Sequence, residues 1–157
     1  MPIWLRSRGI RRRSVRHPEV VWRAEVMLDA LGLGDAELSI LLCDDATIRT
    51  LNRRYRDRNK STDVLAFAMR EGPGGEAQPT LLGDVVISMP TAVAQAEEHG
   101  RTIVDEVTFL LAHGLLHLLG HDHATPAEER DMSARTEALL EAVRAAGRRR
   151  KAVEKPR

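Results

Sequence analysis

Four of the chain's six histidines fall within eleven positions, His113, His117, His121 and His123, in the stretch HGLLHLLGHDH. His113 and His117 are four residues apart, so on a helix both imidazoles leave one face, one turn apart, where they can share a metal ion. Such a pair is weak by itself, and a third donor decides whether it is a site. His121 continues the four-residue series, but it lies about 12 Å along a straight helix from His113. Zinc–nitrogen bonds are only about 2.0–2.1 Å long. The chain must therefore turn back after His117, and Gly120 is the residue that can end the helix in a left-handed conformation. His121 follows that break at once, whereas His123 has room to return, so the spacing favours His113, His117 and His123. Three neutral nitrogen donors suit one Zn²⁺ ion, and three protein ligands with an open position are the catalytic arrangement, not the structural one. A water on such an ion has its pKa brought down towards ~7, so the expected chemistry is hydrolysis. Asp122 is read two ways, as an outer carboxylate orienting a ligand imidazole or as a turn-forming residue. Zinc peptidases of the HExxH type place a glutamate beside the first histidine as general base; here that position is Gly114.

These residues need elements to hold them. Residues 17–31 carry apolar Val20, Val21, Ala24, Met27, Leu28 and Leu31 at helical spacing, and Gly32 and Gly34 end the run. ELSILLC at 37–43 reads as a buried strand. Asp44 or Asp45 caps a second helix with Ile48, Leu51 and Tyr55 on its inner face. TDVLAFAM at 62–69 and LLGDVVISM at 81–89 read as strands that pair across a Gly- and Pro-rich loop at 71–78. A short first strand is expected at Ile3, Trp4 and Leu5. After Pro90 everything is helical in character: 90–99, then 102–119 with Thr102 as cap, then a last helix from Pro126, capped by Thr125, to about Ala146. The fold class is α+β, a single domain with a roughly four-stranded mixed sheet packed by helices and a central metal-binding helix in the C-terminal half. The domain is expected over 1–147, with 148–157 (RRRKAVEKPR) a basic, disordered tail.

Composition narrows the setting. At 157 residues, 43% apolar and 30% charged, the chain has the make-up of one soluble globular domain. No apolar run reaches membrane-spanning length. The basic start (Arg6, Arg8, Arg11, Arg12, Arg13, Arg16) lacks the apolar stretch of a secretory signal. Cys43 stands alone in an apolar run, which excludes an internal disulfide and a thiolate-rich zinc site and fits a reducing, cytoplasmic setting. The net charge of +1 conceals segregation, with positive charge concentrated at the N-terminus, at 49–60 and at 144–157. Each stretch reads equally as solvated helix surface or as a polyanion-binding face. Tyr55 reads as a core residue in preference to a base-stacking one.

The stretch from His113 to His123 closely resembles the H-G-x-L-H-L-x-G-[YH]-D-H signature of the YbeY family of bacterial rRNA maturation factors. Leu51-Asn52, Tyr55-Arg56, the run STDVLAF at 61–67 and the run LGDVVIS at 82–88 also resemble that family, in the same order along the chain. The resemblance implies a zinc-dependent single-strand endoribonuclease acting in rRNA processing, at the 3′ end of small-subunit RNA, and in ribosome quality control. Its partners are then single-stranded RNA, ribosomal particles and ribosome-associated proteins, with no membrane. It places the metal ligands on His113, His117 and His123 and an important arginine on Arg56. Independently of it, Arg56 in the basic segment is a candidate for bidentate phosphate contact. The sequence departs from the family pattern at Ser61, Ala66 and Ala68, where Pro, Ser and Pro are frequent, and in its basic ends. Two other readings compete: a metzincin-like zinc peptidase, which lacks its base at Gly114, and a non-catalytic ribosome-assembly factor with structural zinc.

Overall fold

The computed structural model of the chain describes residues 3–10, 14–56, 62–68 and 81–154. Arg11, Arg12 and Arg13, the end of the basic segment at 57–60, Ser61, Met69 and the Gly- and Pro-rich loop lie outside the described residues. The elements run β1 (Ile3–Arg8), α1 (His17–Ala30), β2 (Glu37–Cys43), α2 (Asp45–Arg56), β3 (Val64–Ala68), β4 (Leu81–Ser88), α3 (Met89–His99), α4 (Ile103–Leu118) and α5 (Pro126–Glu154). The sheet order is β1-β2-β4-β3. β1 and β4 flank β2 in parallel, and β3 pairs antiparallel with β4, so the sheet is mixed as its sequence pattern implies.

Strand alternation divides the sheet into two faces. Leu38, Ile40, Leu42, Val85 and Ile87 point into the main core, where α1 and α4 cover the sheet and α5 packs on those two helices. Cys43 and Val86 point the other way and meet Ile48 of α2, with Leu41, Leu51, Leu65 and Phe67 around them. α4 runs through the middle. Leu110, Leu111, Leu115, Leu116 and Leu118 are all buried there, each worth about 1.5–3 kcal/mol on burial. A helix apolar around most of its circumference belongs inside, and this one is rigid scaffold for the histidines at its end.

The caps follow from side-chain chemistry. Of the two candidates for α2, Asp44 serves: its Oδ1 accepts from the Thr47 amide at 2.8 Å, and the Thr47 hydroxyl together with that amide holds its carboxyl below the usual range. Ser88 caps α3 by accepting from the Thr91 amide at 3.3 Å, and Thr102 caps α4 by accepting from Asp105 at 3.2 Å.

Two sequence expectations are corrected. Tyr55 is not a core residue; it is 60% exposed at the end of α2. The disordered tail is not observed from 148 onward: α5 continues through Gly147 to Glu154, and only 155–157 lie outside the described residues. Glycine costs a helix roughly 1 kcal/mol, and local pairing offsets it. Arg144 bonds Glu141 at 2.9 Å, Arg148 bonds Glu141 at 2.9 Å, and the Arg150 guanidinium sits 3.8 Å from the Trp22 ring centroid while pairing with Glu19 at 3.2 Å. Arg150→Ala is therefore expected to shift Trp22 emission and to cost about 0.5–1 kcal/mol, read by urea titration.

Cys43 is fully buried, and burial, with the Asp44 and Asp45 charges beside it, pushes its thiol up to about 12. The native protein is expected to leave a thiol reagent unreacted at neutral pH and to react stoichiometrically once unfolded. Reaction at native rates typical of a free thiol would contradict this placement.

Candidate functional site

The end of α4 is where the chain turns back. Gly120 has φ +91°, its amide donates to His117 O at 3.0 Å, and the His121 amide donates to Leu116 O at 3.0 Å. This is a Schellman motif, with the glycine at the left-handed position. It fixes His121 as the first residue beyond the turn, where Nδ1 lies 3.8 Å from Asp131 Oδ2 of α5. His123 instead returns towards the helix, and its ring stands edge-to-face with His117, centroids 5.4 Å apart. His113 is one turn back, its ring 4.6 Å from that of Phe109.

His113 and His117 are partly buried, and their pKa values are both depressed. Desolvation is the main cause for each; after it, His117 acts on His113, and His123 acts on His117. Asp63 opposes the shift at His113 and Asp122 opposes it at His117. The rings are thus held as neutral nitrogen donors. Asp122 takes the turn-forming role, its Oδ1 accepting from the His123 amide at 2.7 Å.

The three imidazoles lie at the divide between two clefts. His113 and His123 line one of about 470 Å³ between α4 and α5, together with Arg101, Phe109 and Glu129. His117 opens into another of about 380 Å³, shared with Arg56, His121 and Asp122 and walled by β3. Arg56 reaches it from the last turn of α2. Its Nη2 donates to the Ala66 carbonyl and its Cζ stands 5.0 Å from the Phe67 centroid. The arginines around it, Arg53 and Arg54, also lie in that last turn, where positive charge complements the helix dipole.

As a metal site the donor set fits in chemistry and in one pair. Two imidazoles sharing a zinc at about 2.0–2.1 Å hold their centroids roughly 5 Å apart, close to the His117–His123 separation. Among the described residues, however, no three His, Cys, Asp or Glu side chains are gathered into a complete metal cage.

Two features escaped the sequence reading. Asp63 faces His113 electrostatically and is anchored, its Oδ1 accepting from the Val64 amide at 2.8 Å and its Oδ2 from Gln95 at 3.4 Å. It sits inside the STDVLAF run, which was the available signal. Glu106, fully buried, accepts from His99 at 3.1 Å and Arg101 at 3.4 Å, and Arg101 then lies over Phe109, 4.7 Å from its centroid. Gly114 faces away from the clefts. It is buried, and a Cβ there would meet Val85 Cγ1 at 2.6 Å, so a glutamate base beside His113 has no place in this packing.

No described helix is long and apolar enough to cross a membrane. In overall shape the chain is similar to a protein of Thermotoga maritima solved in solution, with a TM-score of 0.62 over 96% of both chains at 21% identity, a likeness that shows the fold. Curated relatives named Endoribonuclease YbeY are closer in sequence. That of Anaeromyxobacter dehalogenans is 51% identical over 133 residues, spanning 81% of this chain and 67% of that protein. The relative from Moorella thermoacetica is 50% identical, spanning 70% of this chain and 74% of that protein. The one from Aquifex aeolicus is 48% identical, spanning 76% and 78%. Residues 19–144 match the family model described as Endoribonuclease YbeY, and the chain belongs to that family.

Proposed function

We propose that the chain is a zinc-dependent endoribonuclease that cleaves single-stranded ribosomal RNA, acting in the cytoplasm on ribosomal particles, at the 3′ end of small-subunit RNA and in ribosome quality control. The observation that carries this reading is that Arg56 and His117 line one cleft: a phosphate-binding cation stands beside a metal-ligand candidate. Family membership supplies the phosphodiester substrate.

In this reading His113, His117 and His123 hold one zinc ion, a metzincin-like ligand set borne by 1–147. The bound ion would supply Lewis acidity and a nucleophile at neutral pH. Burial keeps the His113 and His117 rings unprotonated and ready to ligate. Arg56, already oriented by the Ala66 carbonyl and by Phe67, presents its outer N–H groups to a phosphate and neutralises charge developing on it. With Gly114 packed on Val85, no carboxylate base of the peptidase kind takes part.

The test compares chelator-stripped and zinc-restored protein on a labelled single-stranded RNA. Cleavage is expected only from the restored form. Arg56→Ala should lower it by about 10²–10³-fold, the usual loss for one transition-state donor, with metal content unchanged. Arg56→Lys should recover only part, because an ammonium lacks the bidentate fork. Equal cleavage by stripped protein would sink the zinc reading. Binding of ribosomal particles without any cleavage would replace it with a structural assembly role, and cleavage of casein with a peptidase.

A further inference from the structure

The second face of the sheet is only half covered. α2 lies over Cys43, Val86 and Leu65, and beyond its end the strands present one transverse row in register, Trp4–Ser39–Asp84–Phe67. Trp4 is 61% exposed and Tyr55 60%. The whole chain has only five Phe, Trp and Tyr residues, yet three of them, Trp4, Tyr55 and Phe67, lie on or over this one open face. Exposed aromatics collected on one surface mark a binding site more often than chance exposure.

Between α2 and the row is a recess of about 440 Å³. Leu41 and Val86 form its floor, Tyr55 and Phe67 stand over it edge-to-face with centroids 5.6 Å apart, and Arg6 and Asp84 supply its polar groups. The recess is not isolated from the His117 cleft. Phe67 lines it, and the Arg56 guanidinium of that cleft stands 5.0 Å from the Phe67 centroid. A strand whose phosphate sits on Arg56 thus has its neighbouring base beside Tyr55 and Phe67. The charges sort base from backbone: the Asp84 carboxylate repels a phosphate, while Arg6 in the lining and Arg54, 5.8 Å from the Tyr55 centroid, attract the polymer as a whole.

We propose that this recess is a nucleobase subsite, in which a base adjacent to the phosphate at Arg56 stacks on Tyr55 and meets Phe67 at its edge. The inference rests on the endoribonuclease reading above and adds a specificity determinant to it. Single-stranded RNA is recognised by stacking unpaired bases on aromatic side chains, commonly those of an open sheet face. Asp84 sets the preference, because a carboxylate accepts hydrogen bonds from exocyclic amino groups. Cytosine and adenine carry such a group on the pairing edge; uracil does not.

Binding is measured by fluorescence anisotropy on full-length, chelated protein with labelled oligo-C, oligo-A, oligo-U and an abasic ribose-phosphate oligomer of equal length. Cleavage is measured separately on zinc-loaded protein. The wild type should bind oligo-C and oligo-A more tightly than oligo-U, and all three more tightly than the abasic chain. Tyr55→Ala should weaken oligo-C binding roughly 5- to 100-fold, with Tyr55→Phe restoring it, and should bring oligo-C down to the abasic level. Asp84→Asn should erase the preference over uracil. If Tyr55→Ala binds and cleaves as the wild type does, the subsite is wrong and the endoribonuclease reading stands. If zinc-loaded wild type cleaves no RNA, that reading fails, and the anisotropy series still decides whether bases are held here. Loss of a protein partner by Tyr55→Ala with RNA binding intact would make the face a protein-docking surface and overturn the proposal.

Discussion

His117→Ala is expected to lose bound zinc and to cut single-stranded RNA cleavage by on the order of 10³-fold, the equivalent of the several kcal/mol a Lewis-acidic metal contributes to a transition state. His117 is the pivot of the site. It faces His123 across 5.4 Å, shares its cleft with Arg56, and occupies the last turn of a helix whose stability comes from the leucines beside it. The imidazole is only partly buried, so its removal leaves the core untouched, and far-UV circular dichroism should match the wild type. His121→Ala is the informative contrast. The Schellman turn fixes its backbone and its ring lies towards Asp131, so metal content should hold and cleavage should stay close to that of the wild type. Metal analysis by mass spectrometry with a cleavage time course distinguishes them. Equal loss in the two variants would mean that the ligand set has been misassigned.

The turn after His117, which sends His121 towards Asp131 and brings the His123 ring back to His117, was legible because helix rise is a fixed length and Gly120 a known terminator. The structure supplies the mechanism in two backbone hydrogen bonds. The strands and helices were legible for a similar reason: apolar periodicity in α1, α4, β2 and β4 reports which face is buried, and Thr102 caps α4 and Thr125 caps α5 at the expected positions. What escaped depends on partners distant in sequence. Tyr55 has the spacing of an inner-face residue of α2, yet it overhangs the end of the helix where the sheet beneath gives way to the open recess. The basic segment after Gly147 reads as solvated tail because its stabilising partners, Glu19 and Trp22, are some 130 residues away. Asp63 carries no spacing signal towards His113, for β3 and α4 meet only in the folded chain. Gly114 was legible only as a missing glutamate; that its position faces Val85 rather than substrate is a property of the packing.

The second large effect concerns the scaffold. Gly83→Ala is expected to destabilise the fold by about 3 kcal/mol or more, at the upper end for overpacked or strained positions. In β4 the pairing with β2 shifts register: Glu37 opposes Leu81 but Leu38 opposes Gly83, so Leu82 is an extra residue, a β-bulge. The bulge explains why Leu82 and Val85, three apart, both enter the main core. Gly83 absorbs the distortion at φ +147°, and a Cβ there would stand 2.2 Å from the Phe67 carbonyl oxygen and 2.9 Å from Leu118 Cδ2. The leucine end can move. The carbonyl belongs to β3, and it moves only if β3 separates from β4. For a chain of this size about 3 kcal/mol corresponds to a melting temperature lower by roughly 6–12 °C. Gly120→Ala is the matched control, because its φ is also positive but no atom lies within 4 Å of the new Cβ; left-handed strain alone costs about 1–2 kcal/mol. Thermal melts should therefore rank wild type, Gly120→Ala, Gly83→Ala. Because Phe67 and Ala66 orient Arg56, any Gly83→Ala protein that still folds should also cleave RNA more slowly while keeping its zinc. A Gly83→Ala melt within a degree or two of wild type would show that β3 yields to the added methyl, and that the tight β3–β4 contact is not what holds Arg56 in place.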